Sequence, residues 1–165
     1  MQKTNRVSGE KAPELNIPLW IDKTGKKLNK PILLADFPGA FIVLFCFQSW
    51  CRGCHLKGFP SLQRMTNALK GNDKVVFLAI QTVFEGRDIN TAEKLIEMQK
   101  KYNLEIPFGQ DDGDASTNNI SDIMFNYRTG GTPWFIFIDK NRNIVFSDFH
   151  LNVENAIEFL ENYKP

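Results

Sequence analysis

Two cysteines three residues apart, Cys51-Arg52-Gly53-Cys54, carry the plainest chemistry in this sequence. A C-x-x-C pair has two physical uses: both sulfurs bind one metal, or they cycle between dithiol and disulfide. Placement separates the two. The motif follows a buried apolar run and opens a helical pattern, where unpaired N–H groups and the helix dipole stabilise an anion. A thiolate at Cys51 is therefore favoured relative to a free cysteine, whose pKa is ~8.5. Arg52 adds positive charge in the same direction. Cys54, one turn on, is poised to attack a mixed disulfide on Cys51, and Gly53 keeps the tight turn uncrowded. Zinc would need two further ligands from Cys46, His55 and His150. With no second C-x-x-C, the expectation is no metal, and Cys46 reads as a small core hydrophobe.

The elements that position this pair follow from the apolar pattern. Phe41 to Phe47 is an apolar run without alternation, expected of a central strand covered on both faces. A helix is expected from near Cys51 to Leu69, with Phe59, Leu62, Met65 and Leu69 on one face and a kink at Pro60, which has no amide proton to give Leu56. Val75 to Ile80 forms a second buried strand, making a right-handed βαβ unit. Asn90-Thr91-Ala92-Glu93 reads as a capped helix start, with Ala92, Leu95, Ile96 and Tyr102 as the buried stripe. Gln110 to Asn119 reads as a polar loop. Trp134 to Ile138 and Ile144 to Phe149 should pair antiparallel across the turn 139–143, and a last helix should start near Asn152. Ahead of all this, Ile17 to Ile21 and Ile32 to Leu34 flank a polar stretch and suggest an N-terminal β-hairpin or a pair of edge strands. Residues 1–12 read as a flexible tail and 13–165 as one domain.

Composition narrows the function. The chain has 165 residues, 42% hydrophobic, including 14 phenylalanines, enough for one well-filled core. Lys plus Arg total 20 against 19 acidic residues, a net charge of +1 that leaves no electrostatic footprint for nucleic acid. No apolar run approaches the roughly 20 residues needed to span a bilayer. Three cysteines do not make a disulfide-stapled scaffold. The polar opening Met1 to Arg6 holds no secretory signal, so the expected location is cytoplasmic; a trimmed leader would make it periplasmic or extracytoplasmic.

Ser49-Trp50-Cys51-Arg52-Gly53-Cys54, the kinked helix after it, and Gly131-Thr132-Pro133 before an apolar strand resemble the thioredoxin superfamily. The opening Gly9 to Leu15 and the long insert between Ile80 and Pro133 resemble its TlpA/ResA and peroxiredoxin-like branch. The resemblance spans residues 9–165. It implies an α/β thioredoxin fold, a mixed sheet flanked by helices, with the N-terminal hairpin and the insert as additions. It also implies a thiol–disulfide oxidoreductase without cofactor, a monomer acting on disulfides or thiols of partner proteins. Cys51 would be the attacking thiol and Cys54 the resolving one. Pro133 would be a cis-proline facing them, and the backbone of Thr132 would pair with the bound substrate chain. Trp50 reads as a cover over the site. The chain departs from the family at Phe45, where thioredoxin carries a buried Asp, and at Lys57-Gly58, near where ResA-like proteins carry a Glu. Glu105, His55 or water is then left to move the resolving thiol's proton.

Three other readings compete. Cys51 to His55 matches the c-type haem string C-x-x-C-H, but the strand before it, Trp50 and Thr132-Pro133 would go unexplained. A thiol peroxidase is closer kin, yet the P-x-x-x-T/S-x-x-C pattern fails from either cysteine. A non-catalytic binding module on the same fold would have no use for both cysteines. Asp111 to Asp114 lacks EF-hand spacing and reads as a turn.

Overall fold

The computed structural model describes residues 9–165. Its spine is a six-stranded mixed sheet of order β1-β4-β3-β2-β5-β6. The strands are β1 (Leu19–Ile21), β2 (Phe41–Phe47), β3 (Val75–Thr82), β4 (Phe108–Asp111), β5 (Trp134–Ile138) and β6 (Ile144–Asp148). β2 runs parallel to β3 and antiparallel to β5, in register from Phe41 opposite Val75 and from Ile42 opposite Ile138.

β2 shows why its sequence has no alternation. Phe41, Val43, Phe45 and Phe47 face one core with Phe59, Leu62, Met65 and Leu160. Ile42, Leu44 and Cys46 face another with Trp20, Leu34, Ile123 and Tyr127. Both faces are covered, so every position is apolar. Helices α1 (Phe59–Ala68), α2 (Glu93–Lys101), α3 (Asp122–Tyr127) and α4 (Val153–Glu161) supply the covers. The antiparallel β5–β6 hairpin and the Asn152 cap of α4, which accepts from the Asn155 amide at 3.0 Å, match the sequence pattern.

Several expectations are corrected. The segment before α1 does not simply kink at Pro60. Cys54–Gly58 widens into a π-turn, with the Phe59 amide donating to the Cys54 carbonyl five residues back. This is how the helix accommodates a residue that cannot donate to Leu56. Asn90 is not a helix cap: α2 begins at Glu93 with Ala92 at its N-cap, and Asn90 is buried in the preceding loop. Ile96 is on the exposed side of α2, while Met98 and Gln99 are buried. Gln110 and Asp111 are not loop but the end of β4; their polar groups are hydrogen-bonded inside the fold, which offsets part of the cost of burying them. α3 is an element the sequence pattern did not announce.

At the N-terminal side, β1 pairs antiparallel with β4 and touches Lys27 across a tight turn, but Ile32 to Leu34 forms no strand. Leu34–Asp36 is a 3-10 turn, bound through the Leu34 amide to the Glu14 carboxylate at 2.5 Å. Of the expected tail, residues 1–8 lie outside the described residues. Gly9 to Ala12 are tied to the end of the domain: the Gly9 amide donates to the Ile144 carbonyl and the Ala12 amide to that of Arg142.

Candidate active site

β2 ends at Phe47, and residues 48–50 carry the chain over the sheet edge to the two cysteines. Cys51 and Cys54 are joined in a disulfide with their α-carbons 5.3 Å apart. Their exposures differ: Cys51 is 9% accessible and Cys54 fully buried. The Cys54 amide donates to Cys51 Sγ at 3.1 Å, so the helix start aims an N–H at the outer sulfur. Such a donor favours a thiolate there when the bond is open.

Thr132 and Pro133 approach from the turn before β5, with a cis peptide bond between them. A Cβ on Gly53 would lie 3.2 Å from Pro133 Cδ. Gly53 has ordinary helical dihedrals (φ −63°, ψ −31°), so its value lies in clearance for Pro133 and not in backbone freedom. Two depressions flank this point. One, of about 350 Å³, contains Trp50, Cys51, Arg52, Glu85 and Thr132. The other, of about 500 Å³, runs past Gly53, Leu56, Lys57, Pro133 and His150. Phe149 lines both. Trp50 is 48% exposed and rests on the chain at Gly86, beside the outer cysteine. The structure therefore brings Trp50, Cys51, Arg52, Gly53, Cys54, Thr132 and Pro133 together.

The remaining candidates fall elsewhere. Cys46 points into the opposite core, buried, with its thiol pushed far up by burial and by the Asp111 charge. Glu105 is exposed and lines a different depression with Lys23 and Asn103, away from the cysteines. His150 lies exposed on the groove wall. His55 Nε2 is 2.6 Å from the Ser49 carbonyl oxygen, which occupies the nitrogen a haem iron would need.

Sequence reasoning missed a buried amide network under the 48–50 loop. Asn90 Oδ1 accepts from the Ser49 amide and hydroxyl, both at 2.8 Å, and Asn90 Nδ2 donates to Gln48 Oε1 and to the carbonyls of Glu85 and Gly86. Gln81 Oε1 also accepts from the Ser49 amide, while its Nε2 donates to Gln110 Oε1 and to the Thr91 carbonyl. The available signal was Gln81 itself, a polar residue closing an apolar strand run.

A mixed sheet whose central strand delivers a disulfide to the first turn of a helix defines the class: thioredoxin-fold thiol–disulfide oxidoreductases. Residues 7–159 match the Redoxin family, and the chain belongs to it. A thioredoxin-like superfamily protein of known crystal structure is 30% identical, with a TM-score of 0.77 over 93% of this chain and 97% of that one. A thiol-disulfide isomerase from Corynebacterium glutamicum shares the fold at 23% identity, TM-score 0.74, covering 93% and 98%. A secreted disulfide oxidoreductase from Mycobacterium tuberculosis does so at 19% identity, TM-score 0.61, covering 88% and 95%. No curated protein matches the chain. Among the described residues no helix is long and apolar enough to cross a membrane.

Proposed function

We propose that the protein exchanges its Cys51–Cys54 pair with disulfides or thiols of partner proteins, in the manner of the TlpA/ResA-like branch. One observation carries the reading: Cys51, which lines a surface depression, and the fully buried Cys54 are linked at a helix start, beside Thr132-Pro133. In the reducing direction the Cys51 thiolate attacks a partner S–S bond. A Cys51–partner disulfide forms and one partner sulfur leaves as thiolate. Cys54 then loses its proton and attacks Cys51 Sγ, closing the Cys51–Cys54 bond and releasing the second partner sulfur. Two electrons pass to the partner; the reverse sequence oxidises a partner dithiol.

The residues around the pair have roles in this cycle. The Cys54 amide and the Arg52 charge lower the cost of the Cys51 thiolate. Thr132 offers backbone to an extended partner segment, and Trp50 shelters one side of the reacting sulfur. Glu105 lines a different depression, away from the cysteines, which leaves the resolving thiol's proton to solvent once the Cys51–partner bond has formed. The test is trapping: Cys54→Ser should accumulate adducts with a disulfide-bearing protein that dithiothreitol releases, and Cys51→Ser should form none. Equal reduction of that protein by wild type and Cys51→Ser would overturn the proposal.

A further inference from the structure

His55 follows the resolving cysteine directly, and the exchange cycle does not use it. Its imidazole is nevertheless held at both nitrogens. Nε2 meets the Ser49 carbonyl oxygen at 2.6 Å, and Nδ1 meets the Tyr102 hydroxyl. A carbonyl oxygen can only accept, so Nε2 carries the hydrogen; in the neutral ring Nδ1 then accepts from Tyr102. Tyr102 is itself fixed, as the C-cap of α2 and by stacking on Phe59 with centroids 4.2 Å apart and planes within 5°.

The far end of the brace is just as firm. Ser49 is bound through its amide and hydroxyl to Asn90, and through its amide to Gln81. The Ser49 residue is thus pinned toward β3 by its N–H and toward the cysteine helix by its C=O. Ser49 and His55 also bracket the two cysteines in the chain, so this side-chain brace closes a loop around the one the disulfide closes.

We infer that His55 is a positioning residue for the redox pair. By holding the Ser49 carbonyl against the helix of Cys54, with Tyr102 fixing its tautomer, it favours the closed disulfide over the open dithiol. The physical reason is pre-organisation: a loop already ordered loses less conformational freedom when the S–S bond forms. By linkage, the redox state in which the brace is tighter is the state the brace favours.

The inference rests on the reading of Cys51–Cys54 as a reversible redox pair. Its test is equilibration with glutathione buffers of graded poise, the dithiol fraction being read by alkylation and mass. His55→Ala should move the equilibrium about tenfold toward the dithiol, which is ~30 mV for a two-electron couple. Tyr102→Phe keeps the ring stack and should shift it the same way by less. His55→Gln should restore the wild-type value, because its amide nitrogen can donate to Ser49 while its oxygen accepts from Tyr102. Nitrogen-15 shifts of the oxidised protein should show hydrogen on Nε2. Unmoved equilibria in both His55→Ala and Tyr102→Phe, or hydrogen on Nδ1 of the neutral ring, would overturn the inference alone. If His55→Ala does not fold, Tyr102→Phe and the ring shifts decide. A wild type that never equilibrates with glutathione would sink the redox reading and this inference together.

Discussion

Gly58 and Pro133 meet across the redox site with no room between them: a Cβ on Gly58 would lie 2.9 Å from Pro133 Cβ and 2.9 Å from two ring carbons of Phe45. The dihedrals of Gly58 are helical, so the constraint is space and not backbone strain. Gly58→Ala should therefore force the π-turn off the sheet and destabilise the oxidised protein by about 1–3 kcal/mol. Urea unfolding reads this directly, and an unchanged midpoint would show that the contact yields to a methyl group without cost.

The same contact explains what could be read from the chain and what could not. Local order carries the cysteine pair: an apolar strand, a C-x-x-C and a helical stripe are adjacent in sequence, and all fall where expected. The contact of Gly58 with Pro133 joins residues far apart in the chain, and nothing in either neighbourhood announces it. Asn90 shows the opposite failure. Asn before a Glu-bearing helical pattern is a sound cap signal, but the same side chain satisfies the Ser49 loop instead, and tertiary partners override the local rule. Gln110 and Asp111 misled for a related reason. Polar residues in a row read as loop unless each has a buried partner, and here Gln81, Ser121 and two amides supply them.

Asn90 gives the second prediction. Asn90→Ala takes the partner of the Ser49 hydroxyl and of the Glu85 carbonyl, in a place where Asn90 is 1% exposed, while Gln48 Oε1 keeps the Phe84 amide and the Gly86 carbonyl keeps the backbone amides of Ile89 and residue 90. A loss of about 1–3 kcal/mol is expected for each buried group that water does not reach. Because Trp50 rests on Gly86 in the loop that Asn90 ties down, its fluorescence should also change. Unchanged emission with a normal melting temperature would mean that the network does not hold the loop.

Cys46 should be chemically silent. It is fully buried, and burial together with the Asp111 charge raises its pKa, so the protonated thiol persists through neutral pH and beyond. Native reduced protein treated with iodoacetamide at pH 8 should gain its first adduct on Cys51, with the fully buried Cys54 slower and Cys46 modified only after unfolding. Three adducts formed at similar rates in the native state would contradict this placement.

Asp111 supplies a pH dependence whose sign is fixed by its surroundings. Burial raises its pKa above the ordinary 3.8, helped by the neighbouring Asp122, while bonds from Ser121 and the amides of Asp122 and Ile123 oppose the rise. A raised folded pKa means that the native state holds this proton more tightly than the unfolded chain does. Its contribution to stability is complete below pH 3.8 and is lost as pH rises through the folded value. Asp111→Asn cannot ionise and lacks this loss. The wild-type urea midpoint minus that of the variant should therefore be larger at pH 3.5 than at pH 6.5. A difference that grows with pH would mean that the three hydrogen bonds outweigh burial.

Partner recognition gives the last prediction. Leu56 is 64% exposed and Phe149 43%, and both line the groove of about 500 Å³ that leads to Pro133. Apolar side chains left in water beside a reacting sulfur gain most when a partner chain covers them. Leu56→Asp and Phe149→Ala should each slow reduction of a protein disulfide about tenfold, the effect of losing ~1.4 kcal/mol at the contact. A small aromatic disulfide, which needs only the Cys51 sulfur, should react within about twofold of the wild-type rate, as expected if the chemistry at the sulfur is unchanged. Comparing the two substrates separates docking from chemistry. Equal slowing of both would place Leu56 and Phe149 among the groups that hold the cysteines, and equal indifference would move the partner surface to the other side of Thr132, toward Trp50 and Glu85.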